Sequence, residues 1–221
     1  MIPVYVVVEG QTEGSFVSDV LAKVFWPNQI HLIPILLGGH TSYARVIKDV
    51  LKALKQYPGA YCSTMLDFYG LGKGFPGMPL PPNLPNIEKV RRIEAAFKED
   101  ICRRIPDFRP DIRFLPYLQL HEYEGLLFSD PPAFASAIRQ PQLAQPFQAI
   151  RDRFPTPEDI NDDATTAPSK RVLQAYPAYS KVIDGTLAAR AVGIETMRRE
   201  CPHFREWLER LEYCGSFAKT L

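Results

Sequence analysis

Val4-Tyr5-Val6-Val7-Val8-Glu9-Gly10-Gln11-Thr12-Glu13-Gly14 joins an apolar run to an acidic, glycine-flanked turn. An unbroken β-branched run of this length suits a strand covered on both faces, as in a parallel sheet. Glu9 and Gly10 end it. Ser15 to Phe25 then carries apolar residues at 17, 20, 21, 24 and 25, the spacing of an amphipathic helix. Ile30 to Leu37 predicts a second strand, and Pro34 within it points to a sheet edge or a bulge. Gly38-Gly39-His40 reads as a turn. Thr41 or Ser42 can then cap a helix to about Gln56, striped by Val46, Ile47, Val50, Leu51 and Leu54. Gly59 stops it, and Tyr61 to Leu66 forms a third strand ending at Asp67. Two successive strand–helix–strand units imply right-handed crossovers and a parallel sheet.

Beyond Asp67 the pattern loosens. Gly70 to Pro85 is a Gly/Pro-dominated loop, too long for a routine connection, and loops of that kind are functional or disordered. Phe68 and Tyr69 at its start favour an ordered loop. Asn86 can cap a helix to about Ile105. Asp111–Leu120 is expected as a fourth strand ending at His121-Glu122. The rest is read as helical: near Pro132–Ile138, near Leu143–Arg153, then Ser169–Tyr176, Lys181–Ala191, Ile194–Cys201 and His203–Leu211, with a Pro/Asp/Thr-rich loop over Pro155–Pro168. The expected class is α/β: a mostly parallel central sheet of four to five strands flanked by helices, with a helical C-terminal extension. The division placed on the sequence is an α/β core over 1–130 and a helical region over 131–221 packed on it.

Composition narrows the function classes. The chain has 221 residues, 46% hydrophobic and 23% charged, which excludes global disorder. Lys plus Arg (26) against Asp plus Glu (25) leaves a net charge of +1, so a polybasic nucleic-acid sponge is excluded but a locally charged cleft is not. The four cysteines show no CxxC pair and no zinc spacing, which fits a reducing cytoplasm. The longest apolar runs, Ile2–Val8 and His31–Leu37, fall far short of the ~20 residues of a membrane helix, and neither a signal peptide nor membrane association is expected. Arg91, Arg92, Arg103, Arg104, Arg109 and Arg113 alternate with acids, so they read as a solvated face. Gly70 to Gly77 is no P-loop, because Lys73 lacks a following Ser or Thr.

The chemistry lies in where acids fall. Glu9 follows the first strand, Asp67 the third and Glu122 the fourth. In an open parallel sheet the carboxyl ends of the strands form the ligand crevice. Carboxylates gathered there repel, and a divalent cation relieves them; oxygen ligands select Mg²⁺, Mn²⁺ or Ca²⁺ over zinc. Glu13, four residues after Glu9, could serve the same centre, or simply charge a helix start. His121 reads as a supporting group beside the metal or as an ordinary strand-end histidine. Phe68, Tyr69 and Phe75 could stack on bases or pin the proline-rich loop.

Four ordered motifs then match a known pattern: Val-Val-Val-Glu-Gly-Gln-Thr-Glu (6–13), Met-Leu-Asp-Phe-Tyr-Gly-Leu (65–71), Leu-His-Glu-Tyr-Glu-Gly-Leu-Leu-Phe-Ser-Asp (120–130) and Ala-Pro-Ser-Lys-Arg (167–171), with Cys-Pro-His-Phe-Arg-Glu-Trp-Leu (201–208) closing the chain. They resemble a bacterial family of unknown function classed as Toprim-like, after the topoisomerase–primase fold, and related to the nuclease domain of OLD-family proteins. The resemblance implies that Glu9 is the Toprim glutamate, that Glu13 is the additional OLD-type glutamate, and that Asp67 opens the Asp-x-Asp motif. Tyr69 stands where that motif has its second aspartate, and Glu122 or Glu124 could supply the missing carboxylate. The late basic residue is matched by Lys170, with Arg171 beside it. The function this resemblance implies is a Mg²⁺- or Mn²⁺-dependent nuclease cleaving phosphodiester bonds in DNA or RNA, with Glu9, Asp67 and Lys170 catalytic and Glu9, Glu13, Asp67 and Glu122 on the metal. Since OLD relatives fuse an ATPase to this domain and no Walker motif occurs here, an ABC-type ATPase in trans and an anti-phage defence role are implied. The alternative is a non-catalytic Toprim-like adaptor that binds an ATPase or nucleic acid; an RNA maturase shares the site.

Overall fold

The first apolar run forms strand β1, Ile2–Val8, at the centre of a parallel sheet in a computed structural model that describes residues 1–39, 41–161 and 166–217, the last three by backbone alone. Beside β1 lie β2, Ile30–Leu36, and β3, Tyr61–Asp67, in register Val6 to Pro34 and Val8 to Met65. The order is β2-β1-β3-β4, so Pro34 sits in the edge strand, where its missing N–H costs no ladder bond. The helix after β1 starts earlier than its apolar stripe suggests: α1 spans Gln11–Ser15, passes through a π-helical stretch Phe16–Leu21, and ends as α2, Ala22–Phe25.

Helix α3, Tyr43–Gln56, and helix α4, Asn86–Arg104, cover one face of the sheet. Val7, Cys62, Leu66 and Phe114 pack there with Val50, Leu54, Ile93 and Phe97. Alternation turns Val4, Val6 and Val8 to the other face, where the α1–α2 segment runs along β2. Ser42 occupies the N-cap of α3 without a side-chain cap bond, and the Thr41 hydroxyl before it donates to Gly70 O at 2.8 Å. Pro85, not Asn86, precedes α4. Gly38 and Gly39 take φ of +77° and +88°, the left-handed region the expected turn needs. His40 of that turn lies outside the described residues, as do 162–165 of the Pro155–Pro168 loop and 218–221.

The single fourth strand expected over Asp111–Leu120 is corrected. Pro110–Arg113 is a short helix, α5, and the strand is two pieces, β4 (Phe114–Leu115) and β5 (Leu118–Gln119), both paired to β3. Pro116 breaks it, since proline cannot donate to a ladder. Side chains close the gap. Ser63 Oγ donates to Leu115 O at 2.5 Å, Thr64 Oγ1 donates to Tyr117 O at 2.8 Å and accepts from Tyr117 N, and buried Glu94 accepts from Leu118 N at 2.8 Å.

The chain divides into two compact units, Met1–Leu120 with Glu209–Leu221, and His121–Leu208. The second begins ten residues before the division read at 130, and the chain's end returns to the first. The second unit is helical: α6, Glu124–Leu127; α7, Pro131–Ala137; α8, Ala144–Arg151; α9, Pro168–Ala175; α10, Ile183–Val192; α11, Ile194–Glu200; and the first half of α12, Pro202–Phe217. Phe128, Phe134 and Phe147 form its aromatic centre. Buried Glu158 accepts from the amides of His203 and Phe204, both at 2.9 Å, and so caps α12. Among the described residues no helix is long and apolar enough to cross a membrane.

Candidate active site

The parallel ladder sets the first unit's acids at one sheet edge. Val8 pairs with Met65, so Glu9 leaves β1 beside the last turn of β3, and Asp67 ends β3 opposite Gln119 of β5. Glu9 and Asp67 are both half-buried, and Glu9 Oε2 is itself buried. A cavity of about 390 Å³ opens here, lined by Glu9, Gly39, Thr41, Ser42, Gly70 and Gly72. Gly70 matters for its missing side chain: a Cβ there would lie 3.3 Å from Glu9 Oε2 and 3.6 Å from Thr41 Oγ1. The backbone of the loop therefore comes close over the Glu9 carboxylate, held by the Thr41 hydroxyl.

Glu13 is engaged locally. Its Oε2 accepts from Gly10 N at 3.0 Å and closes the first helical turn, the position where the helix dipole favours a negative charge. Tyr69, in place of an Asp-x-Asp aspartate, is 58% exposed and meets Phe68 edge-on. Phe68 and Phe75 are buried, and Phe75 contacts the rings of Tyr43 and Phe97. Of the two roles open to these aromatics, Phe68 and Phe75 pin the loop; only the Tyr69 ring is offered to solvent.

The remaining site residues belong to the second unit. Glu122 Oε2 accepts from Ser169 N at 2.8 Å, at the start of α9, and its Oε1 lies 3.9 Å from Lys181 Nζ. The same ammonium stands 3.3 Å from Oε1 of fully buried Glu124. Burial pushes the Glu124 carboxyl up to about 7, against the lowering pull of Lys181. His121 is buried with Nδ1 3.3 Å from Asn161 Nδ2, and burial takes its pKa down to about 4, so the ring is neutral near pH 7. Lys170 is exposed. Arg171 donates from Nε to Thr166 O at 2.7 Å and lies over the Phe154 ring at 5.5 Å, so it braces the chain before α9. Lys181, the cation between two carboxylates, escaped sequence reasoning. It belongs to no recognisable motif, and only folding sets it beside Glu122 and Glu124, more than fifty residues away.

Among the described residues, no three His, Cys, Asp or Glu side chains are grouped so as to hold a metal ion. Glu9 and Asp67 end neighbouring strands, Glu9 alone of the two lining the cavity, and in the second unit Glu122 and Glu124 share Lys181.

A parallel sheet in the order β2-β1-β3-β4, flanked by helices and with Glu9 and Asp67 at strand ends, defines an α/β fold. The same fold is found in the C-terminal region of the Burkholderia pseudomallei OLD protein, with a TM-score of 0.50 at 14% identity over 97% of this chain and 99% of that one. The C-terminal region of the Xanthomonas campestris pv. campestris OLD protein is also similar, with a TM-score of 0.44 at 14% identity, covering 99% of this chain and 98% of the other. The chain belongs to the family described as a domain of unknown function, DUF4276, whose model matches residues 8–212. No curated protein matches the sequence.

Proposed function

We propose that this protein is a divalent-metal-dependent nuclease that cleaves phosphodiester bonds in DNA or RNA. The observation that carries the reading is that Glu9 and Asp67 end adjacent parallel strands, with Glu9 lining a cavity beside the side-chain-free Gly70. The donors fit the group: carboxylate oxygens at a partly solvated edge suit Mg²⁺ or Mn²⁺, which keep several waters. A divalent cation there would supply a water of lowered pKa and offset charge on the phosphodiester. The chain's own residues do the positioning. Glu9 and Asp67 hold the acidic edge, Thr41 fixes the Gly70 loop above it, and Tyr69 offers an exposed ring to a base. Of the other residues expected at the centre, Glu13 closes its own helical turn at Gly10 N, and Glu122, Glu124, His121, Lys170 and Arg171 belong to the second unit, so the cation is proposed on Glu9 and Asp67.

The test is incubation of single- and double-stranded DNA and RNA with Mn²⁺ or Mg²⁺. We expect metal-dependent cleavage that falls by at least about a hundredfold in Glu9→Gln and Asp67→Asn, which lose charge but keep shape. The biological setting proposed with this activity is anti-phage defence alongside an ABC-type ATPase in trans, checked by co-purification of the ATPase.

A second reading, the non-catalytic adaptor, is favoured by Tyr69 in place of an aspartate and by the commitment of Glu122 to Ser169 N and Lys181. Absence of cleavage with either metal would select it.

A further inference from the structure

A second cavity, of about 620 Å³, is lined by residues of the same loop. Gly70 and Gly72 line the cavity at Glu9, whereas Leu71 and Lys73 line this one, so alternate residues of one short stretch face the two spaces. Its walls are apolar, made by Leu71, Met78, Leu80 and Pro82, and Lys89 of α4 stands with Lys73 among the lining residues. No acid lines it, and neither lysine is in an ion pair among the described residues. A concave apolar space with two unopposed ammonium groups fits a flat apolar group carried on an anionic backbone. The loop is held in shape by buried Phe75, packed on Tyr43 and Phe97, so the cavity is formed before anything enters it.

We propose that this cavity takes an unpaired nucleobase of the substrate strand, with Lys73 and Lys89 meeting the flanking phosphates. The preferred substrate is then single-stranded nucleic acid, or a duplex with an extruded base. The proposal rests on the reading that a nucleic-acid strand lies at Glu9 and Asp67, and it deepens that reading by assigning the strand's path. A base stacked within a duplex cannot enter a pocket without being unpaired and unstacked, so double strands are disfavoured by that cost. The exposed Tyr69 ring, one residue before the shared stretch, offers a stacking surface for a neighbouring base.

The experiment measures fluorescence anisotropy of a labelled oligothymidylate, an oligouridylate and a matched duplex, in EDTA so that no strand is cut. The parent should bind the single strands more tightly than the duplex. Leu80→Asp should weaken single-strand binding by roughly tenfold, the scale of losing one stacked base. Lys73→Ala with Lys89→Ala should reduce the slope of log affinity against log salt by about 1.4, at about 0.7 per phosphate on a single strand. An oligonucleotide with one abasic position should bind more weakly to the parent, and Leu80→Asp should add little further loss to it. Thermal melts of the variants verify that they fold; Leu80→Ala replaces Leu80→Asp if the latter does not. Unchanged binding in the variants overturns the pocket. Equal binding of duplex with equal loss overturns the unpaired base, and preferential binding of an acidic leucine-bearing peptide overturns nucleic acid as the occupant. Cleavage with Mn²⁺ is scored separately. Strand binding that depends on the pocket, without cleavage, would sustain this proposal while removing the nuclease assignment.

Discussion

Gly70 shows how one absent side chain shapes the acidic edge. A methyl group there would press on Glu9 Oε2 at 3.3 Å, and the carboxylate, at the end of a flexible chain, would yield by a few tenths of an ångström. Gly70→Ala should therefore keep the melting temperature close to the parent's and lower metal-dependent cleavage by roughly tenfold, since small misplacements at a reacting centre are costly. Steady-state cleavage beside a thermal melt checks it; unchanged cleavage would separate Gly70 from the site. Asp100 illustrates a residue whose charge serves stability instead. It accepts hydrogen bonds from Tyr43 Oη and, at 2.6 Å, from Arg104 Nε. Burial alone would raise its pKa, but the bonds to Arg104 and Tyr43 outweigh this and hold it below the ordinary aspartate value. A depressed folded pKa means stability that is present above the unfolded value and is lost as pH falls through the folded one. Asp100→Asn should thus cost about 1 kcal/mol near neutrality, allowing for the partly exposed Arg104, and the deficit should shrink in acid. Urea denaturation at neutral pH and in acid reads the difference.

At the scale of elements, the interrupted fourth strand is the informative one. Pro116 removes a donor, and Ser63, Thr64 and Glu94 make the bonds a continuous ladder would have made. Glu94 is buried and also lies 3.9 Å from Arg210 in the final helix, so it ties α4, β5 and the chain's end together. Glu94→Ala leaves Leu118 N–H buried without its acceptor and should destabilise by about 1–3 kcal/mol, while Glu94→Gln, which keeps an accepting oxygen, should cost less. Equal losses in the two variants under chemical denaturation would assign the effect to packing. The loop between β3 and α4 obeys the same logic of side chains fixing backbone. Buried Phe75 anchors it, and Thr41 holds its first residue.

For the whole molecule, the proposed cation makes a thermodynamic claim that needs no turnover. A ligand that binds only the folded form stabilises it by mass action, by about 2.7 kcal/mol at a hundred times its dissociation constant. Mn²⁺ or Mg²⁺ should raise the melting temperature, EDTA should reverse the rise, and Glu9→Ala or Asp67→Ala should abolish it. A parent melt indifferent to millimolar metal, together with absent cleavage, would leave the adaptor reading.

Local chemistry is legible along the chain without the fold. β-Branched runs, helical stripes and glycine stops specify the β1–β3 core and the placing of Glu9 and Asp67 at strand ends, while Pro34 left an edge or a bulge open for β2. Those signals are read within a dozen residues, so they survive without knowledge of the fold. The tertiary structure alone decided which charges meet. Glu13 turned back to Gly10 N, Lys181 came to Glu122 and Glu124, Glu94 reached Leu118 N, and residues 70–73 were divided between two cavities. Apart from the Glu13 bond, these contacts join residues far apart in the chain or depend on which way a loop residue faces. No periodicity records that, because it is set by how the elements pack within each unit.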